Sequence, residues 1–229
     1  MRSLTSLLKP LATSIFAVAV LAFAQGSAKA DEVSFAGFTN GCFGAGCTPG
    51  TTSGAPPVSL LGLTYNSSTF NGTTSGGFLA IGDAPGTPNV DNLGSFALSG
   101  TPANYNGQSF SLRVTFTAPP GISGGNNRIF TATLTGNVST NDVGGVDINF
   151  NNDPIVFTFS FVNAQGQIVT GSFTFRLNDV SVIAGGTVPV TGVITSAQQS
   201  AVPEPASMLL LGSGLLGVAG AVRKRLNRK

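Results

Sequence analysis

The chain has no histidine and no tryptophan, only two cysteines, and few charged residues (9%). Each shortage closes a class of function. Without histidine the usual general base near neutral pH is missing, and Ser–His–Asp and Cys–His sites are excluded. Two cysteines and no histidine cannot form a structural zinc site, so no metal or cofactor is expected. The segment from residue 31 to 200 contains no lysine, and its only cations are Arg113, Arg128 and Arg176. Its acids are Asp31, Glu32, Asp83, Asp91, Asp142, Asp147, Asp153 and Asp179, so three cations against eight acids give a net charge of −5. The whole-chain value of +2 therefore comes from the two ends. Phosphate backbones are bound by clustered Lys and Arg, so nucleic acid is not an expected partner. Glu32 is the lone glutamate of this segment. A glycosidase-type carboxylate pair would have to be built from aspartates, and no motif nominates one, so no catalytic residue is assigned.

Both ends read as targeting segments. Residues 1–30 carry Arg2 and Lys9, an apolar core over residues 11–24, and the small-residue site Ala28-Lys29-Ala30. That is the pattern of a secretory signal peptide, with cleavage expected before Asp31. At the other end, residues 201–229 open with Pro203-Glu204-Pro205, continue as an uncharged apolar stretch, and finish with Arg223, Lys224 and Arg225 followed by further basic residues. The prolines lack N–H donors and hold the chain extended, which separates the preceding domain from the apolar stretch. Residues 207–222 read as a transmembrane helix of sixteen residues, or ~24 Å at 1.5 Å per residue. This is short against a hydrocarbon core of ~30 Å. The basic end is the stop-transfer element that holds the C-terminus on the cytoplasmic side. Ser213, Gly217 and Ala221 recur at a spacing of four on one face of that helix, where small residues let a second helix approach closely.

This three-part tail resembles the PEP-CTERM sorting signal, through Pro203-Glu204-Pro205, the Gly- and Leu-rich run from Leu209 to Gly217, and Arg223-Lys224-Arg225. The resemblance covers residues 202–229. It implies an exported protein of a Gram-negative envelope, recognised by an exosortase, a membrane-embedded transpeptidase that processes such tails. It further implies a setting in which exopolysaccharide is secreted. The alternative is a plain membrane anchor behind a Pro-rich linker.

Between the ends lies one exported domain, residues 31–200. Gly, Ser, Thr and Asn are abundant, and Phe, Val, Ile and Leu recur at period two. Phe110, Leu112, Val114 and Phe116 alternate with Ser111, Arg113, Thr115 and Thr117, the signature of a strand with one wet face. The same alternation appears at Phe130, Ala132 and Leu134; at Val146, Ile148 and Phe150; at Ile155, Phe157, Phe159 and Phe161; and at Phe173, Phe175 and Leu177. Weaker strands are predicted at residues 33–38, at Leu61, Leu63 and Tyr65, and at residues 78–82, 93–99, 180–183 and 188–194. Asn163-Ala-Gln-Gly166 reads as a hairpin turn. No stretch of this domain has a helical period. Short strands with regular turn signals predict an all-β, antiparallel β-sandwich, jelly-roll or immunoglobulin-like in topology.

Cys42 and Cys47 sit in a Gly-rich loop. In an oxidising compartment, without further ligands, they are expected to form a disulfide that shapes a surface turn. The loop around Asn141, Asp142, Asp147 and Asp153 is rich in oxygen ligands, but it does not match the twelve-residue Ca²⁺ pattern and reads as turn chemistry. Tyr65 and Tyr105 are either core residues or sugar-stacking rings. The expected function is that of a non-enzymatic exported envelope or matrix protein sorted by its tail. The alternatives are a carbohydrate-binding or adhesin module for exopolysaccharide and, further off, an Asp-based glycoside hydrolase. An exposed row of aromatics on one sheet distinguishes the carbohydrate reading, and two carboxylates facing each other in a cleft distinguish the hydrolase.

Overall fold

Period-two alternation becomes antiparallel strand throughout the exported segment. The structure, a computed structural model, describes residues 29–30, 32–82, 92–141 and 143–200, together with Gly212, Gly214, Leu215, Ala219 and Arg223. Residues Lys29–Gln199 form one compact unit. Its elements are all strands: β1 (Lys29–Ala30), β2 (Ser34–Phe43), β3 (Val58–Leu60), β4 (Leu63–Asn66), β5 (Thr69–Thr73), β6 (Leu79–Ile81), β7 (Ser95–Leu98), β8 (Ala103–Asn104), β9 (Gln108–Ala118), β10 (Asn127–Val138), β11 (Gly144–Phe150), β12 (Ile155–Val162), β13 (Ile168–Leu177), β14 (Val180–Ile183), β15 (Thr187–Pro189) and β16 (Gly192–Ser200).

They form three sheets. The largest has the order β14-β11-β10-β9-β2-β5, with β8 on β10; the second runs β1-β16-β13-β12, with β6 on β16; the third runs β15-β7-β4-β3. Central strand β9 shows how they are layered. Phe110, Leu112, Val114 and Phe116 are all buried, as their spacing places them on one face. At one end of that face the Phe116 ring meets Phe157, Phe173 and Phe175 of the second sheet at 5.3, 5.2 and 5.4 Å. At the other end Phe110 meets Tyr65 and Phe96 of the third sheet, both at 5.0 Å. The two smaller sheets thus share one face of the large sheet. Edge-to-face ring contacts of this kind add to the burial energy of each ring.

The strongly patterned strands follow the sequence reading, with Phe157 and Phe159 buried on the inner face of β12 and Phe161 half-buried beside them. The Asn163 turn also forms: the Asn163 Oδ1 accepts from the N–H groups of Gln165 and Gln167. The departures have local causes. β2 runs on to Phe43 because Gly37 and Gly41, which carry no apolar signal, are the places where rings cross the strand. A Cβ at Gly37 would stand 2.4 Å from Phe70 Cζ, and one at Gly41 2.4 Å from Phe110 Cζ. Leu61 is not part of a strand but occupies the turn before β4, with φ 52°, and is 49% exposed. Phe78 lies just outside β6 and is the one exposed ring among the described residues. β3, β5 and β8 lack clear alternation and are held by pairing to stronger neighbours.

The edge strand β12 is covered in its middle. Ser160 N–H donates to the Gly121 carbonyl at 3.0 Å, and Ser123 N–H to the Thr158 carbonyl at 2.8 Å. Only glycine fits at 121, where φ is +71° and a Cβ would lie 2.0 Å from the Ser160 oxygen. Covering an edge this way restrains strand addition by a second chain.

Candidate functional site: the loop face and the sorting tail

Two of the described carboxylates are engaged, each in a separate hydrogen bond. Asp147, on the outer face of β11, accepts from the Ser181 hydroxyl at 2.5 Å. Asp179, in the turn after β13, accepts the Phe150 N–H at 2.9 Å and so ties that turn to the end of β11. Asp153 is exposed in the loop before β12, and Asp142 lies outside the described residues. Among the described residues no three His, Cys, Asp or Glu side chains are grouped to hold a metal.

Both tyrosines are in the core. Tyr65 is 1% exposed and Tyr105 0%, so neither ring is offered to a sugar. The Tyr65 hydroxyl sits in a buried polar knot, where its one proton is shared between the Leu93 carbonyl at 2.8 Å and Thr39 Oγ1 at 2.7 Å. Thr39 Oγ1 also accepts the Ser68 N–H at 3.2 Å. This knot joins β2 of the large sheet to β4 of the third. Burial pushes the Tyr65 phenol well above its ordinary range, and the Thr39 hydrogen bond opposes the shift only in part. Tyr105 closes a second contact, donating to the Leu61 carbonyl at 2.5 Å.

Cys42 and Cys47 are joined in a disulfide. The loop beyond it folds back over the outer face of the large sheet and is fixed there by side chains of the strands beneath. Arg113 Nε donates to the Pro49 carbonyl at 3.1 Å, and Arg113 Nη1 to Asn127 Oδ1 at 2.8 Å. Asn40, the strand partner of Arg113, is 1% exposed and donates to the carbonyls of Gly50 and Thr52, each at 3.0 Å. Arg113 is therefore both a cross-strand partner of Asn127 on β10 and a loop anchor. Arg128 lies with its guanidinium carbon 5.1 Å from the centroid of the Phe157 ring. The loop leaves an open depression of about 260 Å³ lined by Ser53, Gly54, Ser67, Ser68 and Thr69. Its walls are small and uncharged, so it offers hydroxyl and backbone hydrogen bonds without charge or an aromatic platform.

The remaining predicted site residues belong to the tail. Pro203, Glu204, Pro205, Ser213, Gly217, Ala221, Lys224 and Arg225 lie outside the described residues, as does the predicted signal peptide up to Ala28. Gly212, Gly214, Leu215, Ala219 and Arg223 are helical. Among the described residues no helix is long and apolar enough to cross a membrane. The sequence comparison decides what this tail is. Residues 201–225 match the PEP-CTERM protein-sorting motif. The motif match starts immediately after Ser200, where β16 ends. It marks the chain as carrying the address of an exported, exosortase-targeted protein. No curated protein and no solved structure matches the chain.

Proposed function

We propose that this chain is a non-enzymatic exported protein whose β-domain, a sandwich of one large and two smaller sheets, is delivered by its PEP-CTERM tail to the envelope, surface or extracellular matrix of a Gram-negative bacterium. The observation that carries the reading is the motif match over residues 201–225. An exosortase recognises Pro203-Glu204-Pro205, the helix over residues 207–222 presents the motif at the membrane boundary, and Arg223, Lys224 and Arg225 hold it during transfer. Ser213, Gly217 and Ala221 form the face that docks on the enzyme. The helix and basic end are absent from the final product. A helix shorter than the bilayer core and interrupted by Gly212, Gly214, Gly217 and Gly220 suits a transient anchor better than a permanent one.

For the domain, a matrix or surface role ranks ahead of carbohydrate binding by aromatic stacking, since Tyr65 and Tyr105 are buried and the described rings form no exposed row. It also ranks ahead of hydrolysis by paired aspartates, since Asp147 and Asp179 each serve a separate structural hydrogen bond. The test compares the parent with Glu204→Ala and Pro203→Ala variants by intact mass and cell fractionation. The expected result is that the variants accumulate at full length in the inner membrane while the parent loses residues 223–229. A parent that keeps those residues at its final location sinks the sorting reading.

A further inference from the structure

In an Asn-Gly pair the side-chain amide is open to attack by the following backbone nitrogen, because glycine places no side chain beside that nitrogen. The chain carries three such pairs, Asn40-Gly41, Asn71-Gly72 and Asn106-Gly107, and the fold treats them differently. Asn40 and Gly41 lie inside β2, paired with Arg113 and Leu112 of β9. Asn40 is buried, its amide nitrogen donates to the Gly50 and Thr52 carbonyls, and its Oδ1 has no donor. Asn71 and Gly72 lie inside β5, paired with Ala36 and Phe35 of β2. Closing a ring from the glycine nitrogen to the asparagine Cγ rotates the peptide plane between the two residues. Inside a strand that rotation disturbs the pairing with the neighbour.

Asn106-Gly107 is free of that restraint. Both residues are exposed, and they are the central pair of a turn closed by the Gln108 N–H on the Tyr105 carbonyl at 3.0 Å. No hydrogen bond engages the Asn106 carbonyl or the Gly107 N–H, so the plane between them turns without breaking one. Gly107 has φ +80°, and nothing lies within 4 Å of where its Cβ would stand, which leaves room for a ring. The Asn106 side chain is held by its oxygen, since the Gly136 N–H donates to Oδ1 at 3.0 Å. That donor draws charge toward the oxygen and stabilises the oxyanion that forms on attack. Asn40 has the reverse arrangement, with its nitrogen held and its oxygen unaided.

We propose that Asn106 is a self-modifying site, converted within the folded domain to a mixture of aspartate and isoaspartate. The Gly107 nitrogen adds to Cγ, its proton passes to the departing amide, and the Cγ–Nδ2 bond breaks with release of ammonia, leaving a cyclic imide. Water then opens the imide. Opening at Cγ gives aspartate. Opening at the backbone carbonyl gives isoaspartate, whose main chain is longer by one carbon. Either product carries a new carboxylate, and nothing is oxidised or reduced. The longer main chain moves the acceptor away from Gly136, beside the stretch of β10 on which β8 pairs, so β8 loosens. The change runs one way and accumulates with the age of the protein, whatever its final location.

The test holds the full chain, as recovered from cells, in mildly alkaline buffer and maps its peptides by a fragmentation that separates aspartate from isoaspartate. The expected result is amide-to-acid exchange at Asn106 with isoaspartate present. Asn40 and Asn71 convert at least ~10-fold more slowly, because their strands must first open. In denaturant the three sites convert at similar rates. Limited proteolysis then cuts the aged protein within residues 99–107 faster than fresh protein. Asn106→Gln, whose longer side chain closes the ring poorly, shows no such gain. An Asn106 that stays intact in the native chain while the denatured chain converts overturns the proposal, as does an Asn40 or Asn71 that keeps pace with it. A preference for Asn106 that persists undiminished in denaturant overturns it too, since the fold then makes no choice. So does an equal gain in proteolysis in Asn106→Gln.

Discussion

The two halves of the domain core are held by different physics. Where the large sheet meets the second sheet, Phe116 is surrounded by Phe35, Phe70, Phe157, Phe173 and Phe175, with ring centroids between 5.2 and 6.3 Å. Where it meets the third sheet, rings still pack, but Tyr65, Thr39 and the Leu93 carbonyl form a buried hydrogen-bonded knot. On the outer face at that same end lie the disulfide and the loop anchored by Asn40 and Arg113. The first half draws its stability from non-directional burial, so it tolerates local adjustment but not loss of volume. The second depends on directed bonds, so it is sensitive to single atoms, because a buried polar group left without its partner is costly.

The largest effect expected from this contrast is at Phe116. Replacing it by Ala removes the centre of the ring cluster and should cost ~3–5 kcal/mol, read as a lower denaturation midpoint at unchanged slope. An unchanged midpoint would mean that the two sheets are not packed through this residue. Next comes Gly94→Ala in the polar half. Gly94 has φ +99°, and a Cβ there would stand 2.4 Å from the Tyr65 hydroxyl and 2.5 Å from the Asn66 carbonyl oxygen. Backbone strain alone is then ~1–3 kcal/mol, and near-ultraviolet circular dichroism should report a disturbed Tyr65.

Tyr65→Phe probes the knot without changing its shape. Its expected cost is ~1–3 kcal/mol, from acceptors left without a donor. It also carries a pH signature. The folded-state pKa of Tyr65 is raised above 10, its value in the unfolded chain. Below pH 10 both states keep the proton and the contribution is fully present. Above it the unfolded chain loses the proton first, and stability falls by ~1.4 kcal/mol per pH unit. Alkaline titration of stability should therefore be shallower in Tyr65→Phe, whereas Phe116→Ala should keep the parental slope. An identical slope in parent and Tyr65→Phe would show that Tyr65 is not protected. The smallest effect is expected from Cys42→Ser/Cys47→Ser. The bridge spans a sequence separation of only 5, and closing so short a loop is worth ~2 kcal/mol or less. Asn40 and Arg113 continue to hold the following loop, so limited proteolysis should cut within residues 48–57 only slightly faster than in the parent.

The same contrast marks what could be read in advance. The ring half was legible because β9, β12 and β13 alternate strictly, and alternation fixes which side chains share a face whatever the topology. The polar half was not, because Thr39, Asn40 and Gly41 look like loop composition and Arg113 like an ordinary exposed cation. Their roles arise from neighbours that are distant in sequence, Leu93 and Ser68 for Thr39, and the Gly50 and Thr52 carbonyls for Asn40. The disulfide was legible because few cysteines leave few choices.

The sequence by itself determined the address and the secondary-structure class. The sorting motif is a contiguous stretch of sequence, residues 201–225, and strand periodicity is a local property of the backbone. Only the tertiary structure decided that two smaller sheets share one face of the large one and that both tyrosines are buried. Those facts depend on which segments meet, and contacts across the chain are selected by the joint packing of all the strands, which no local pattern encodes.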